Sequence, residues 1–206
     1  MTWDAWIIFA LFWVVFVTTP GPNAANCIQN GMAFGFRRSL AGVAGILTQA
    51  TLFLLLAAAG VGAVILSAPQ VFFWLQIAGA ALLIWLGLRG WQNAATPVTL
   101  PTRAGSIYGR AFLIATVNAK SLAGYIAAFS QFVQPDVPIW SQMWVIMPTA
   151  LTLTALSYTS FTALGAALGH AALGAVFNTW LRRALAACFV IYGAALGSVA
   201  ITGRTA

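Results

Sequence analysis

Acid is what this chain lacks most: Asp4 and Asp136 are its only carboxylate side chains, and there is no glutamate. That shortage excludes a paired-carboxylate active site and an oxygen-rich cage for a divalent metal. Histidine and lysine occur once each, as His170 and Lys120. No GxSxG, Walker or HExxH sequence is present, so neither an enzyme nor an ATP-driven pump is expected, and no cofactor is implied. Cys27 and Cys188 stand in separate apolar segments without CxxC spacing, and both read as small buried residues. The alternative they leave open is a membrane thiol-redox relay, in which the two sulfurs would meet across the bundle.

Charge of either sign is scarce. Only 5% of residues are charged and 62% are hydrophobic, whereas a soluble domain is about one-quarter charged. A polytopic, all-α membrane protein embedded in a lipid bilayer follows. The net charge of +7 does not point to nucleic acid, because the basic residues sit in short clusters between apolar segments rather than along one face. The start, Met1-Thr2-Trp3-Asp4, has no basic region and no small-residue cleavage site follows, so the first segment is expected to be retained.

The most informative stretch is Thr18-Thr19-Pro20-Gly21-Pro22-Asn23. It interrupts an apolar segment that runs from Trp3 to Thr19 and resumes from Ala24 to Phe36. Proline removes a backbone donor and pushes the residue before it out of the helical region, so Pro20 and Pro22 force a break at which Gly21 lets the chain turn. Lipid cannot satisfy the freed amides and carbonyls, so such a break belongs where it is buried in protein or lines a polar cavity. Secondary carriers place substrates at breaks of this kind, because a half-helix N-terminus aims amides and a positive dipole end at an anionic group.

Five more apolar segments follow: about 40–66, 71–88, 107–132 interrupted at Asn118-Ala119-Lys120, 139–168, and 181–201. Arg37-Arg38 forms a basic turn after the first. Residues 89–106 are the only stretch polar enough for an extended linker, and they divide the single membrane domain into repeats of about 3–88 and 107–202. Arg37, Arg38, Arg89, Arg103, Arg110, Arg182 and Arg183 all fall at odd-numbered connections, and only Arg204 falls on the other side, with Asp4 and Asp136. The positive-inside rule makes the rich side cytoplasmic and puts both termini outside. Three segments per half then predict six transmembrane helices as two inverted three-helix repeats, with helices 1 and 4 broken or kinked.

Lys120 is the only charged residue inside a segment, where a cation costs about 2.5 to 3.5 kcal/mol at the bilayer centre. It should face a cavity or a partner, holding a substrate carboxylate or carrying a proton. Snorkelling to the interface is the competing reading. Thr152, Thr159 and Thr162 fall close to one helical face and could line a path, although threonine in a membrane helix more often bonds its own backbone or a neighbour. His170 reads as interfacial.

Thr19-Pro20-Gly21-Pro22-Asn23, the glycines Gly31, Gly35, Gly42 and Gly45, and the run from Gly79 to Gly87 resemble the lysine-exporter (LysE/RhtB) superfamily of amino-acid efflux carriers. The similarity spans nearly the whole chain and is strongest in the first half. In the second half the family's Asn-Pro-Lys and Pro-Gln-Phe are replaced by Asn118-Ala119-Lys120 and Ser130-Gln131-Phe132, which lack both prolines. The resemblance implies export of amino acids or close derivatives across the inner membrane, driven by an ion gradient, expected to be that of protons. The two breaks place the substrate at Thr19, Pro20, Gly21, Pro22, Asn23, Asn118 and Lys120. With Lys120 at the site and no membrane carboxylate, a neutral amino acid is favoured over lysine or arginine, since like charges repel in a weakly screened cavity. Metal-ion export is disfavoured by the same absence of acidic ligands, and the sequence leaves room for a homo-oligomer.

Overall fold

The structure, a computed structural model, describes residues 2–67, 69–96 and 106–202. Helix α1 covers Trp3–Thr18 and is capped by Thr2, whose hydroxyl accepts from the Ala5 amide at 3.3 Å. Asp4 in its first turn complements the helix dipole. Helix α2 starts at Pro22, a residue suited to a first turn, and runs as Pro22–Ser67. Inside it Gly35 has φ 72°, a left-handed conformation that glycine tolerates. The Ser39 hydroxyl reaches the Asn30 carbonyl at 2.7 Å, a group that a straight helix would hold about 13 Å away along its axis. Two arms, 22–34 and 36–67, therefore fold against each other at Gly35. The turn expected at Arg37-Arg38 lies at that glycine instead, and the two arginines are helical.

Helix α3 spans Pro69–Gln92, so Arg89 belongs to its last turn rather than to a linker, and the helix outruns its expected end at Leu88. Arg103 and Arg204 lie outside the described residues. Helix α4, Ile107–Val117, and helix α5, Ala119–Phe132, meet at Asn118 with a bend of 60°. The break exists without the proline. The Asn118 side chain accepts from the Lys120 amide at 3.1 Å, which starts a new helix rather than continuing the old one. Helix α6 runs over Ile139–Leu168, and the short α7, His170–Val176, was not anticipated from the sequence. Helix α8, Thr179–Thr202, begins two residues before the expected Leu181 because the Asn178 side chain caps it, accepting from the Trp180 amide at 2.9 Å.

All elements among the described residues are helical. Among the described residues three helices are long and apolar enough to cross a membrane, and the bent α4–α5 pair makes a fourth crossing if taken as one span. Large apolar side chains such as Leu56, Leu156 and Ile191 stand on the outside, each more than half exposed, as a lipid-facing surface requires and a water-facing one does not. Inside, Phe9, Phe12, Trp13 and Phe16 of α1 pack with Tyr125, Phe129, Phe132 and Phe189. Glycines let backbones cross closely: a Cβ at Gly31 or Gly165 would overlap the carbonyl of Thr162 or Ile28, and Gly87 and Gly193 do the same between α3 and α8.

Candidate functional site

The end of α1 leaves its last carbonyls without helical partners, and a hydroxyl takes that of Val17, while Thr18 and Thr19 bond back to carbonyls one turn earlier. Thr18 donates to the Val14 carbonyl at 2.6 Å, Thr19 to that of Val15 at 2.5 Å, and Ser157 of α6 to that of Val17 at 3.1 Å. The carbonyl of Thr19 precedes Pro20, and a cation takes it. Lys120 Nζ donates to the Thr19 oxygen at 2.5 Å and lies 5.2 Å from the centre of the Phe16 ring. The only charge inside a sequence segment is thus seated on the break in the other half of the chain. Gly124, one turn beyond Lys120, makes room for Phe16, since a Cβ there would overlap the ring.

The predicted residues divide into those that meet and those that build. Thr19, Pro20 and Lys120 line one cavity, and Gly21 is close to the lysine stem, where an added Cβ would stand 3.8 Å from its Cδ. Gly21 does not have a positive φ, so its role at the turn is not the special backbone freedom expected of it. Asn118 shapes the α4–α5 bend through its cap. Pro22 opens α2, whose first helical bond runs from the Ala25 amide to the Gly21 carbonyl at 3.0 Å, which leaves the Asn23 and Ala24 amides ahead of it. The Asn23 side chain is buried beside Tyr158, and its oxygen has no partner.

The cavity beside the two breaks has a volume of about 220 Å³. Besides the break residues its walls include Arg89, Asn93, Arg182 and the rings of Trp85 and Phe189. Arg182 donates to the Thr96 carbonyl at 2.8 Å, and the Arg89 guanidinium lies 5.0 Å from the Trp85 ring centre. Three cations and no carboxylate face this space, so it suits an anionic group.

Sequence reasoning missed several buried polar groups behind the break. Asn26 is fully buried with neither carboxamide atom partnered, and Gln49 has an unpartnered nitrogen. The signal was present: Asn23, Asn26 and Asn30 recur at i, i+3 and i+7 in an apolar segment, one face of a helix. The threonines of α6 serve helix contacts instead of one shared path. Thr149 and Thr154 accept from the indoles of Trp6 and Trp13, each at 3.0 Å, Thr162 donates to its own helix, and Thr152 is exposed. Both cysteines are free thiols, Cys27 buried and Cys188 half-buried.

Comparison with known proteins places these features among transporters. A family model described as LysE type translocator matches residues 14–199. A Vibrio cholerae protein described as an uncharacterized membrane protein is 33% identical over 170 residues, covering 80% of this chain and 82% of that protein. A homoserine/homoserine lactone efflux protein of Salmonella typhimurium is 29% identical over 96% of this chain and 98% of its own length. A leucine efflux protein of Salmonella choleraesuis is 28% identical over 75% of each. No solved structure matches.

Proposed function

Since the chain belongs to the LysE type translocator family, a family of transporters and not of enzymes, we propose that it exports amino acids across the inner membrane by alternating access. The observation that carries this reading is the bond from Lys120 to the Thr19 carbonyl. It joins the two helix breaks into one site, beside a cavity that cations line and acids do not. The substrate is a neutral amino acid or a close derivative, bound at Thr19, Pro20, Gly21, Pro22, Asn23, Asn118 and Lys120. Its carboxylate faces the amides at the start of α2 and the Lys120 ammonium, the ionisable group best placed to couple export to a proton gradient. The relatives named for efflux of homoserine and of leucine support a neutral side chain.

The six-crossing map belongs to the same proposal. Apart from the short α7 of the second half, each half of the chain runs as a short helix, a break, a second short helix and then long helices, the order that an inverted repeat would produce. Arg37, Arg38, Arg89, Arg110, Arg182 and Arg183 then face the cytoplasm, and both termini lie outside. The cysteine relay finds no support in the family.

The test is an efflux screen of individual labelled amino acids from reconstituted vesicles, with and without a proton gradient. Leucine and homoserine should be carried ahead of lysine and arginine, and the gradient should accelerate them. Export that favours the cationic amino acids would overturn the neutral-substrate reading. Absence of export for every amino acid would overturn the function itself. Competition by an amino acid and by its amide then examines carboxylate capture, and equal competition rejects it.

A further inference from the structure

The Lys120 ammonium occupies a seat built for a primary ammonium, and nothing in that seat requires it to be a lysine. The Thr19 carbonyl stands at the negative end of α1, and because the helix stops there no amide of a following turn reaches it. Phe16 offers its ring face from one turn earlier, with the cation 5.2 Å from the centroid. The ring is only 5% exposed and is held by stacking on Phe12 and by edge contacts with Trp13 and Tyr125. Its orientation is therefore fixed by packing rather than by the lysine. No carboxylate lines the adjoining cavity, so an α-ammonium group there must use a neutral oxygen or a ring face, and the place where Lys120 sits combines both, the Thr19 oxygen and the Phe16 ring.

We propose that the Thr19 carbonyl and the Phe16 ring form the ammonium seat of the transport site, and that Lys120 fills it as a tethered stand-in when no substrate is bound. An incoming amino acid puts its α-ammonium on the seat. The displaced Lys120 ammonium swings on its four-carbon stem to the substrate carboxylate, which lies between it and the amides of Asn23 and Ala24. One cation replaces another on the seat and no bond is made or broken, so an empty site and a filled one carry the same net charge. The inference rests on the export reading for its substrate, but the seat itself can be examined without transport.

Purified Lys120→Ala and Lys120→Met proteins leave the seat vacant. In thermal unfolding, millimolar n-butylammonium should stabilise both variants by several degrees and leave the wild-type chain unmoved, because its own lysine competes. Adding Phe16→Leu to Lys120→Ala should remove most of that shift. Equal stabilisation of wild type and variants, or none in either variant, would overturn the seat. The second arm is exchange of labelled leucine, or of labelled homoserine where leucine is not carried, in wild-type vesicles. The corresponding 2-hydroxy acid, which keeps the carboxylate and lacks the ammonium, should compete at least about tenfold less well than the amino acid, as loss of a charge-assisted bond requires. Equal competition would also overturn the proposal. Stabilisation by n-butylammonium together with no export of any amino acid would keep the seat and reject the export reading.

Discussion

Gly31 of α2 lies so close to Thr162 of α6 that a single methyl group on Gly31 would overlap the Thr162 carbonyl oxygen. Gly165, on the facing helix, meets the backbone of Ile28 in the same way. The obstructing atoms are backbone, which cannot rotate aside as a side chain could. Gly31→Ala should therefore cost about 1 to 3 kcal/mol of overpacking, read as a fall of several degrees in the unfolding temperature in detergent. The double variant Gly31→Ala/Gly165→Ala should cost less than the sum of the single changes, because the first substitution already parts the helices. An unfolding temperature equal to wild type for both single variants would contradict this crossing.

At the breaks, two glycines should behave differently. A Cβ on Gly21 meets only the Lys120 stem at an ordinary contact distance of 3.8 Å, whereas one on Gly124 would overlap the Phe16 ring. Gly21→Ala is expected to keep more than about half of wild-type export, since ordinary van der Waals contact carries little strain. Gly124→Ala should displace Phe16 and lower export about tenfold or more, the order that about 1.4 kcal/mol produces. Initial rates in vesicles, normalised to inserted protein, decide between them. Reversal of the order would show that the turn at Gly21 needs glycine for a reason other than space.

This contrast shows where the sequence was legible. Pro20 and Pro22 mark their break directly, because proline alters the backbone whatever surrounds it. The second break was visible only as Asn118-Ala119-Lys120, and its bend arises from a side-chain cap that propensity leaves undecided until tertiary contacts choose. That Lys120 would find Thr19, 101 residues away, is a matter of tertiary packing and leaves no local trace. The fold-back at Gly35 was displaced onto Arg37-Arg38 because charge suggested a turn, whereas the positive φ needed glycine. The short α7 escaped because a seven-residue helix has too few turns to show a period.

Arg89 and Arg182 line the cavity without being tied up by any carboxylate in it. If they gather substrate by its carboxylate, Arg89→Gln and Arg182→Gln should each raise KM for export about three- to tenfold with little change in kcat. Charges that act on encounter alter capture and salt dependence more than the later steps. The rise in KM should be smaller at high ionic strength, where the wild-type field is itself screened. A salt-independent fall in kcat would instead assign these residues to the conformational change.

Sidedness can be read from two exposed positions. In a background with Cys27→Ser and Cys188→Ser, a cysteine placed at Asn93 should react with an impermeant thiol reagent only from the cytoplasm, and one placed at Asp136 only from outside. The arginine-rich ends set this orientation, because cytoplasmic connections retain Lys and Arg. Labelling of both positions from one side would refute the six-crossing, inverted-repeat map.

The break itself can be removed. Helix α1 stops because Pro20 cannot donate, and α2 starts with Pro22 because the first turn has no need of that donor. Replacing both, as Pro20→Ala/Pro22→Ala, restores the two missing N–H groups and allows one helix to run through. In that continuous helix the Asn23 amide would bond the Thr19 carbonyl, the i to i−4 partner, and Lys120 would lose its acceptor. The Asn23 and Ala24 amides would be consumed at the same time, so both poles of the proposed site vanish together. Export should fall below about one-tenth of wild type, as loss of two charge-assisted contacts requires, while insertion and unfolding temperature hold or improve, since a removed break relieves unpaired backbone. Single Pro22→Ala should do less, because Pro20 still interrupts the chain. Wild-type export by a stable double variant would show that the break shapes packing alone and that substrate is held elsewhere.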